Sequence, residues 1–302
     1  MNYHFTKASE LIAICTEQKI PIHEITLRRE MDETKQPREA IMERMQGFFG
    51  MMRDSVKKGL AIESISASGL SGGDAKKLLH YSRSVAPLLG PQFARTMSYG
   101  FAVLETNAAF GRIVATPTAG SAGIVPACLL SLQETHSLAD DHISKAMFTA
   151  AGIGHIIGAN ASFSGAQGGC QAEIGSASSM AAAAIVEAIG GTPEQAVNAA
   201  AFALMNTLGL VCDPVGGYVE VPCVSRNGMF SIHSFLAATM AMADARCVIP
   251  FDDVVIAMRD IGRRMPRALK ETSEAGLATT PAGLQFKPSP TRSISFSKKL
   301  PA

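Results

Sequence analysis

Three of the six cysteines lie in segments rich in glycine or proline, where the polypeptide backbone can approach a ligand closely. They are Cys170, Cys212 and Cys223, and each segment is expected to be a loop. Thiolates hold iron-sulfur clusters, and three thiolates on a 4Fe-4S cluster leave one iron without a protein ligand, free to act as a Lewis acid. The residue types therefore indicate a cluster site, but their spacing alone also fits zinc or no metal.

The other three cysteines lie where a thiol is an ordinary hydrophobic side chain. Cys15 and Cys128 fall on the apolar faces of predicted helices, and Cys247 lies near the end of another. The sequence contains no CxxC pair, so it does not indicate a zinc knuckle or a thioredoxin-type site. The cysteines of the glycine- and proline-rich segments are therefore the candidate ligands.

A run of hydroxyl-bearing residues and glycines, TPTAGSAG, occupies residues 116–123. Its hydroxyls and unhindered amides can hold a substrate carboxylate, especially if a helix begins near Gly123. Thr118, Gly120 and Ser121 are the candidate contacts. A helix-capping turn that binds nothing would have the same composition.

A second candidate wall of the substrate site is the segment Ser71, Gly72, Gly73 and Asp74. This pattern is also an ordinary N-cap signal before a helix, and both roles can hold together.

Polar residues near the cysteines are candidates to orient the cluster or the substrate through hydrogen bonds. Asn160, Ser162 and Ser164 precede Cys170 in one predicted loop. Arg226, just after the third cysteine, can pair with a carboxylate or with a helix end.

Helical periodicity dominates the elements that must position these residues. Between residues 38 and 59, apolar side chains recur every three or four positions, and Thr192 before Pro193 has the pattern of an N-cap. Alternating runs are few. We predict a mostly α fold with helices at residues 8–17, 38–59, 74–84, 93–109, 123–135, 139–157, 180–188, 193–208, 227–243 and 251–264.

The chain is predicted to form one helical catalytic domain, residues 1–302, in which glycine-rich loops carry the cluster and the substrate site. Within it we expect an N-terminal helical segment (1–60), a core that holds both sites (61–280) and a flexible, proline- and serine-rich tail (281–302).

Charge and hydropathy argue against nucleic acid and membranes. Lys and Arg number 27 and Asp and Glu 26, so no basic footprint for nucleic acid stands out. The first residues do not form a signal peptide, and the longest apolar candidate, residues 176–191, is mostly alanine and contains Glu187. We expect a cytoplasmic protein that acts on a small molecule.

Two long motifs carry a resemblance to a known family. GAQGGCQAEIG (165–175) and CDPVGGYVEVPC (212–223) resemble the cysteine segments of iron-sulfur L-serine dehydratases, and the similarity continues through residues 71–75, 107–123 and 271–277. This resemblance covers most of the chain. It implies that a 4Fe-4S cluster is held by the three cysteines and that the chain dehydrates L-serine to pyruvate and ammonia. It also adds Asn107 to the candidate substrate-binding residues.

In that family a catalytic α part and a smaller β part are either fused or made as separate chains, and this sequence resembles the separate α subunit. A Ser-Ser-Ser-His-Thr run typical of the β part is missing, and the C-terminal cysteine of fused relatives is replaced by Ala302. The resemblance thus implies a hetero-oligomer with a β subunit. The catalytic base is unassigned and can lie on that partner, because His80, His155 and His233 are all in surroundings typical of packed or surface residues.

Two other functions fit the composition. A pyridoxal phosphate dehydratase performs the same reaction, but it needs a Schiff-base lysine, and no lysine here has such a setting. A non-enzymatic helical scaffold subunit, whose cysteines bind zinc or nothing, is the other alternative.

Overall fold

The computed structural model describes residues 3–286, and within that range the protein is built from α-helices, with no β-strand. The mostly α prediction is therefore confirmed. The only pairing of extended backbone in this range is an isolated parallel bridge between Cys212 and Lys270. The helices are α1 Ala8–Gln18, α2 Ile22–Thr34, α3 Arg38–Leu60, α4 Asp74–Ser82, α5 Gly90–Ala108, α6 Ile124–His136, α7 Asp140–Asn160, α8 Gly165–Gly168, α9 Ser176–Ala188, α10 Pro193–Met205, α11 Cys223–Met242 and α12 Phe251–Arg264.

Helix α9 is the centre of the fold. Every residue in it except Glu187 is buried, and the helix packs against α6, α7, α10 and α11. Its many alanines and serines allow neighbouring backbones to come close while still burying apolar surface. The alanine-rich run is thus a core helix, and no helix among residues 3–286 is long and apolar enough to cross a membrane.

One hydrophobic core joins the two ends of the described chain. It includes Phe5 in the N-terminal segment and Met258 in α12. The predicted division of the domain at residues 60 and 280 stays a prediction. Residues Gly283–Phe286 form a short 3-10 helix, and the rest of the predicted tail, residues 287–302, lies outside the described residues.

Helix α2 was not predicted, because its N-terminus has no local capping side chain. The N-cap is Pro21, and the carboxylate of Glu187, far away in the sequence, accepts hydrogen bonds from the backbone N–H groups of Ile22 (2.9 Å) and His23 (3.2 Å). A carboxylate at this end also interacts favourably with the helix dipole. The start of α2 is therefore stabilised by a tertiary contact and not by a local capping residue.

The expected loops around two of the cysteines are also partly helical. The segment 162–175 contains α8 and a π-helical turn, Gln171–Gly175, that runs directly into α9. Cys223 is the first residue of α11. The prediction of irregular loops at these cysteines was wrong, because glycine-rich sequence here serves close packing: added side chains on Gly169 and Gly175 would collide with Met265 and Thr207.

We predict that Glu187→Ala lowers the free energy of unfolding by about 3 kcal/mol, because it removes an acceptor shared by several donors. Besides the two amides, Nδ1 of His23 lies 2.6 Å away and Thr149 Oγ1 donates at 2.7 Å. Urea unfolding measures the change, and the amides of Ile22 and His23 should exchange hydrogen faster. The exposed Glu194 gives the control Glu194→Ala, and equal effects of the two substitutions would contradict this account.

Candidate functional site around the cysteines

Three separate parts of the chain bring their cysteines to one buried place. The sulfur atoms of Cys170 and Cys212 and a carboxylate oxygen of Glu173 all lie within 4.8 Å of one another. Cys223 lines the same cavity as Cys212 and Glu173, and that cavity has a volume of about 330 Å³. All three thiols are buried and form no disulfide. The structure therefore brings the predicted ligands together.

Gln171 positions Cys170. This fully buried side chain donates to the carbonyl of Met258 in α12 (3.0 Å) and accepts from the N–H of Gly209 (2.9 Å), and its own N–H donates to Leu210 O (2.9 Å). The π-helical turn that precedes α9 is thus connected to α12 and to the segment that leads to Cys212. Sequence reasoning did not select Gln171, although it directly follows a candidate ligand.

The β-bridge between Cys212 and Lys270 positions Cys212. The N–H of Cys212 donates to Leu269 O (2.9 Å), and the carbonyl of Cys212 accepts from the N–H of Glu271 (2.7 Å). The segment after α12 is therefore held alongside this cysteine. As a result, the carboxylate of Glu271 reaches the cavity.

Arg226 fixes the chain around Cys212. Its guanidinium donates to Val211 O (2.9 Å) and to the carboxylate of Asp213 (3.4 Å), which in turn accepts from Leu277 N–H (2.8 Å). Of the two partners considered for Arg226, a carboxylate and a helix end, the structure has the carboxylate.

Asn227 joins the third cysteine to the predicted substrate turn. Its buried amide donates to Cys223 O (2.8 Å) and to Gly120 O (2.7 Å), and it accepts from Gly123 N–H (2.8 Å). One side chain thus sets the position of the turn relative to the start of α11. Asparagine within a predicted helix offered no sequence signal for this role.

The predicted turn lines the cavity. Thr118 and Gly120 are among the lining residues, whereas Ser121 is fully buried and lies 3.1 Å from the Thr118 hydroxyl. Thr118 Oγ1 donates to Glu173 Oε1 at 2.6 Å. Glu173, which sequence reasoning did not select, therefore connects the turn to the cysteines, since its other oxygen lies 3.8 Å from Cys212 Sγ.

Gly165 leaves room for this arrangement. A Cβ atom placed on it would lie 3.1 Å from Cys212 Sγ, 2.8 Å from Glu173 Oε2 and 3.2 Å from Glu271 Oε2. These three groups converge on one point, so any side chain at this position would occupy the space between them. The glycine is required there for close approach.

Burial and mutual contacts shift the pKa values of these groups in opposite directions. The hydrogen bond from Cys212 lowers the pKa of Cys170 and raises that of Cys212. Burial raises the pKa of Cys223 to about 12 and also raises the pKa of Glu173. Three thiolates in one buried place repel one another, so full deprotonation requires a cationic group that binds them.

The second predicted wall of the substrate site, Ser71 to Asp74, does not line the cysteine cavity. Ser71 and Gly72 line a separate cavity of about 230 Å³, and the Ser71 hydroxyl donates to the buried carboxylate of Glu220. Ser66 and Ser68 donate to the same carboxylate, each at 2.6 Å. These residues connect to the cysteines only indirectly, because Glu220 precedes Cys223 by three positions.

The capping role at this wall belongs to a distant residue. Glu105 in α5 accepts from the backbone N–H groups of Gly73 (3.0 Å), Asp74 (2.8 Å) and Ala75 (3.1 Å), and its pKa is raised by burial. The Asp74 side chain instead pairs with Lys77 on the surface. The local N-cap interpretation is therefore replaced by a tertiary cap.

The other polar candidates are dispersed. Ser164 lines the cysteine cavity, and Ser162 accepts from its N–H (3.1 Å). Asn160 donates to Thr6 O (2.7 Å) in the N-terminal segment, and Asn107, in the last turn of α5, is not among the cavity-lining residues.

No histidine or lysine lines the cysteine cavity within the described residues. His155 and His233 contact the backbone carbonyls of Phe5 (3.0 Å) and Ala203 (2.9 Å), as expected for packed residues, and His80 is exposed. Residues 3–286 therefore supply neither an imidazole base nor a Schiff-base lysine to the cavity.

We predict that Asn227→Ala lowers the free energy of unfolding by about 3 kcal/mol and speeds the labelling of Cys223 by a thiol reagent, because it leaves buried carbonyls and an N–H group without partners. Asn227→Asp should retain the contact to Gly123 but lose both donors. The exposed Asn206, whose amide donates to Phe202 O, gives the control Asn206→Ala. Equal labelling rates in all variants would contradict the bridging role.

Comparison with known proteins agrees with the geometry. Residues 17–278 match the family model for the serine dehydratase alpha chain. The chain is 48% identical over 284 residues to the probable L-serine dehydratase alpha chain of Bacillus subtilis (strain 168), covering 94% of each. It is 41% identical over 280 residues to the L-serine dehydratase alpha chain of Peptoniphilus asaccharolyticus, covering 93% of this chain and 96% of the relative.

A longer relative also matches. Over 283 residues the chain is 34% identical to the L-serine dehydratase TdcG of Escherichia coli (strain K12), and the match covers 91% of this chain but 62% of the relative. The family match spans most of the sequence and includes all three site cysteines. The chain therefore belongs to the serine dehydratase alpha-chain family.

Proposed function

We propose that this chain is the catalytic subunit of an L-serine dehydratase, which converts L-serine to pyruvate and ammonia. The observation that carries the proposal is that Cys170 lies beside Cys212 and Glu173, while Cys212, Glu173 and Cys223 line a cavity together with the Thr118 turn. The names of the relatives support the choice of substrate.

We propose that the three cysteines hold a 4Fe-4S cluster. The residues fit such a group, because the three thiols are buried without disulfides, Cys170 lies beside Cys212, and Cys212 and Cys223 line one cavity. Gly165 leaves the space beside Cys212 Sγ open. When bound, the cluster would supply a Lewis acid for the hydroxyl of the substrate. A carboxylate oxygen of Glu173 also lies within 4.8 Å of the sulfur atoms of Cys170 and Cys212.

The chain's own residues bind and orient the substrate in this proposal. The unhindered turn with Thr118 and Gly120 faces the carboxylate, and Ser121 braces the turn from behind. The Cα proton and the hydroxyl leave to give aminoacrylate, which tautomerises to an imine. Hydrolysis of the imine to pyruvate and ammonia needs no help from the protein.

The base that removes the Cα proton is assigned to a partner β subunit. Two relatives matched along almost their whole length are named alpha chains, whereas the E. coli relative extends well beyond the matched part. The cysteine cavity also lacks a histidine or lysine from the described part of this chain. A hetero-oligomer in the cytoplasm, where six unpaired cysteines stay reduced, accounts for these features.

We predict that Cys170→Ser, Cys212→Ser or Cys223→Ser abolishes bound iron, the visible absorbance of the cluster and activity in anaerobically reconstituted protein. Cys128→Ser is the matched control, since a serine hydroxyl can also donate to Ser231 O, the present partner of the buried thiol. Cys15→Ser is a second control. Equal iron content in all five variants would exclude the three cysteines as ligands.

We predict that the reconstituted chain alone forms pyruvate from L-serine poorly under anaerobic conditions and that a separate β subunit restores turnover. The physical reason is that proton abstraction at Cα requires a positioned base, and no histidine or lysine of the described residues lines the cavity to fill that role. Pyruvate formation is measured with and without the partner at equal iron content. Full activity of the isolated chain would contradict the assignment of the base to the partner.

A further inference from the structure

We propose that Glu271 binds the α-ammonium group of the substrate and thereby selects amino acids over hydroxy acids that lack this group. This role rests on the proposed function, because it requires the substrate to lie in the cysteine cavity. Glu271 would touch the substrate directly, as a specificity-determining residue.

Glu271 is an exposed residue, but its side chain lies at the cysteine cavity. Its carboxylate lines the cysteine cavity, and its Oε2 atom lies 3.2 Å from the point that a Cβ on Gly165 would occupy. Cys212 Sγ lies 3.1 Å from the same point. The hydrogen bond from Glu271 N–H to Cys212 O holds the two residues together, so the carboxylate is at the rim of the site and directed toward the cysteines.

Among the carboxylates that line the cavity in the described chain, only that of Glu271 has no hydrogen-bond partner. A zwitterionic amino acid brings a positive group that requires hydrogen-bond acceptors when it leaves water. Of the cavity-lining residues in the described chain, Glu173 and Glu271 are the ionisable side chains besides the cysteines. Glu173 already accepts from Thr118 Oγ1 at 2.6 Å and is buried.

Glu271, in contrast, makes no side-chain hydrogen bond or ion pair among residues 3–286. Its backbone has a φ of 63°, a conformation that favours glycine. The backbone conformation therefore does not account for a glutamate at this position. The carboxylates of Glu173 and Glu271 also lie close enough to repel each other, since both are within 3.2 Å of the same point beside Gly165. An ammonium group bound to Glu271 would offset this repulsion.

The test compares ligands with and without an ammonium group. L-Alanine has the ammonium and carboxylate groups of serine but no leaving group, whereas 3-hydroxypropionate has the carboxylate and the hydroxyl but no ammonium. Their dissociation constants from the reconstituted complex of this chain and its partner are measured by ligand-observed NMR under anaerobic conditions. KM and kcat for L-serine are measured in parallel.

For Glu271→Gln, loss of one charge-assisted hydrogen bond should weaken L-alanine binding and raise KM for L-serine by about tenfold. Binding of 3-hydroxypropionate and kcat should stay within about twofold, and Glu271→Asp should recover part of the affinity for L-alanine. Glu274→Gln is the matched control, because Glu274 is exposed on the same segment and pairs with Arg267 at 3.4 Å. This control should leave all four quantities unchanged.

Equal weakening of both ligands would overturn the proposal, since it would show a general loss of the site. A fall in kcat at unchanged KM would also overturn it and would indicate a role in proton transfer. If the unsubstituted complex binds iron but does not dehydrate L-serine, the proposed function itself fails. That result is distinct from an active complex in which Glu271→Gln leaves L-alanine binding unchanged.

Discussion

Two buried amide side chains hold the cysteine-bearing segments together, and the rest of the site depends on them. Gln171 ties the start of the α9 region to α12 and to the chain before Cys212, and Asn227 ties the start of α11 to the turn at Gly120. An amide both donates and accepts, so each can bridge N–H and carbonyl groups in a place without water. An apolar or acidic side chain of similar size cannot satisfy both kinds of group, and a buried group without a partner is costly.

Buried or partly buried glutamates connect elements that are distant in the sequence. Glu187 links α9 to α2, Glu105 links α5 to α4, Glu220 links the serine-rich segment to the chain before Cys223, and Glu173 links the cysteines to Thr118. Each carboxylate accepts from several donors, which offsets part of the cost of removing it from water. Through Glu220, the Ser71 wall, although it lines a separate cavity, is connected to the chain three residues before Cys223.

Local signals in the sequence predicted most helices but not what lies between them. At α10 the predicted cap is confirmed, since Thr192 accepts from Gln195 N–H and its own N–H donates to the Gln195 side chain. Helix α2 and the π-helical turn before α9 were missed because distant residues determine them. The three cysteines and Thr118 could be selected by residue type and motif. Glu173, Glu271 and Asn227 could not, because their roles arise from contacts across the fold.

The charge of the cavity supports the proposal that it binds positively charged groups. Cys212, Cys223 and two glutamates line it, and the guanidinium of Arg226 donates to Val211 O and Asp213. Three thiolates beside these carboxylates are stable only if positive charge is brought to them. In the proposed function, a cluster bound to the thiolates and a substrate ammonium at the rim would both supply such charge. In this proposal, bound groups supply the positive charge of the site, and the cysteines and glutamates of the chain determine where that charge lies.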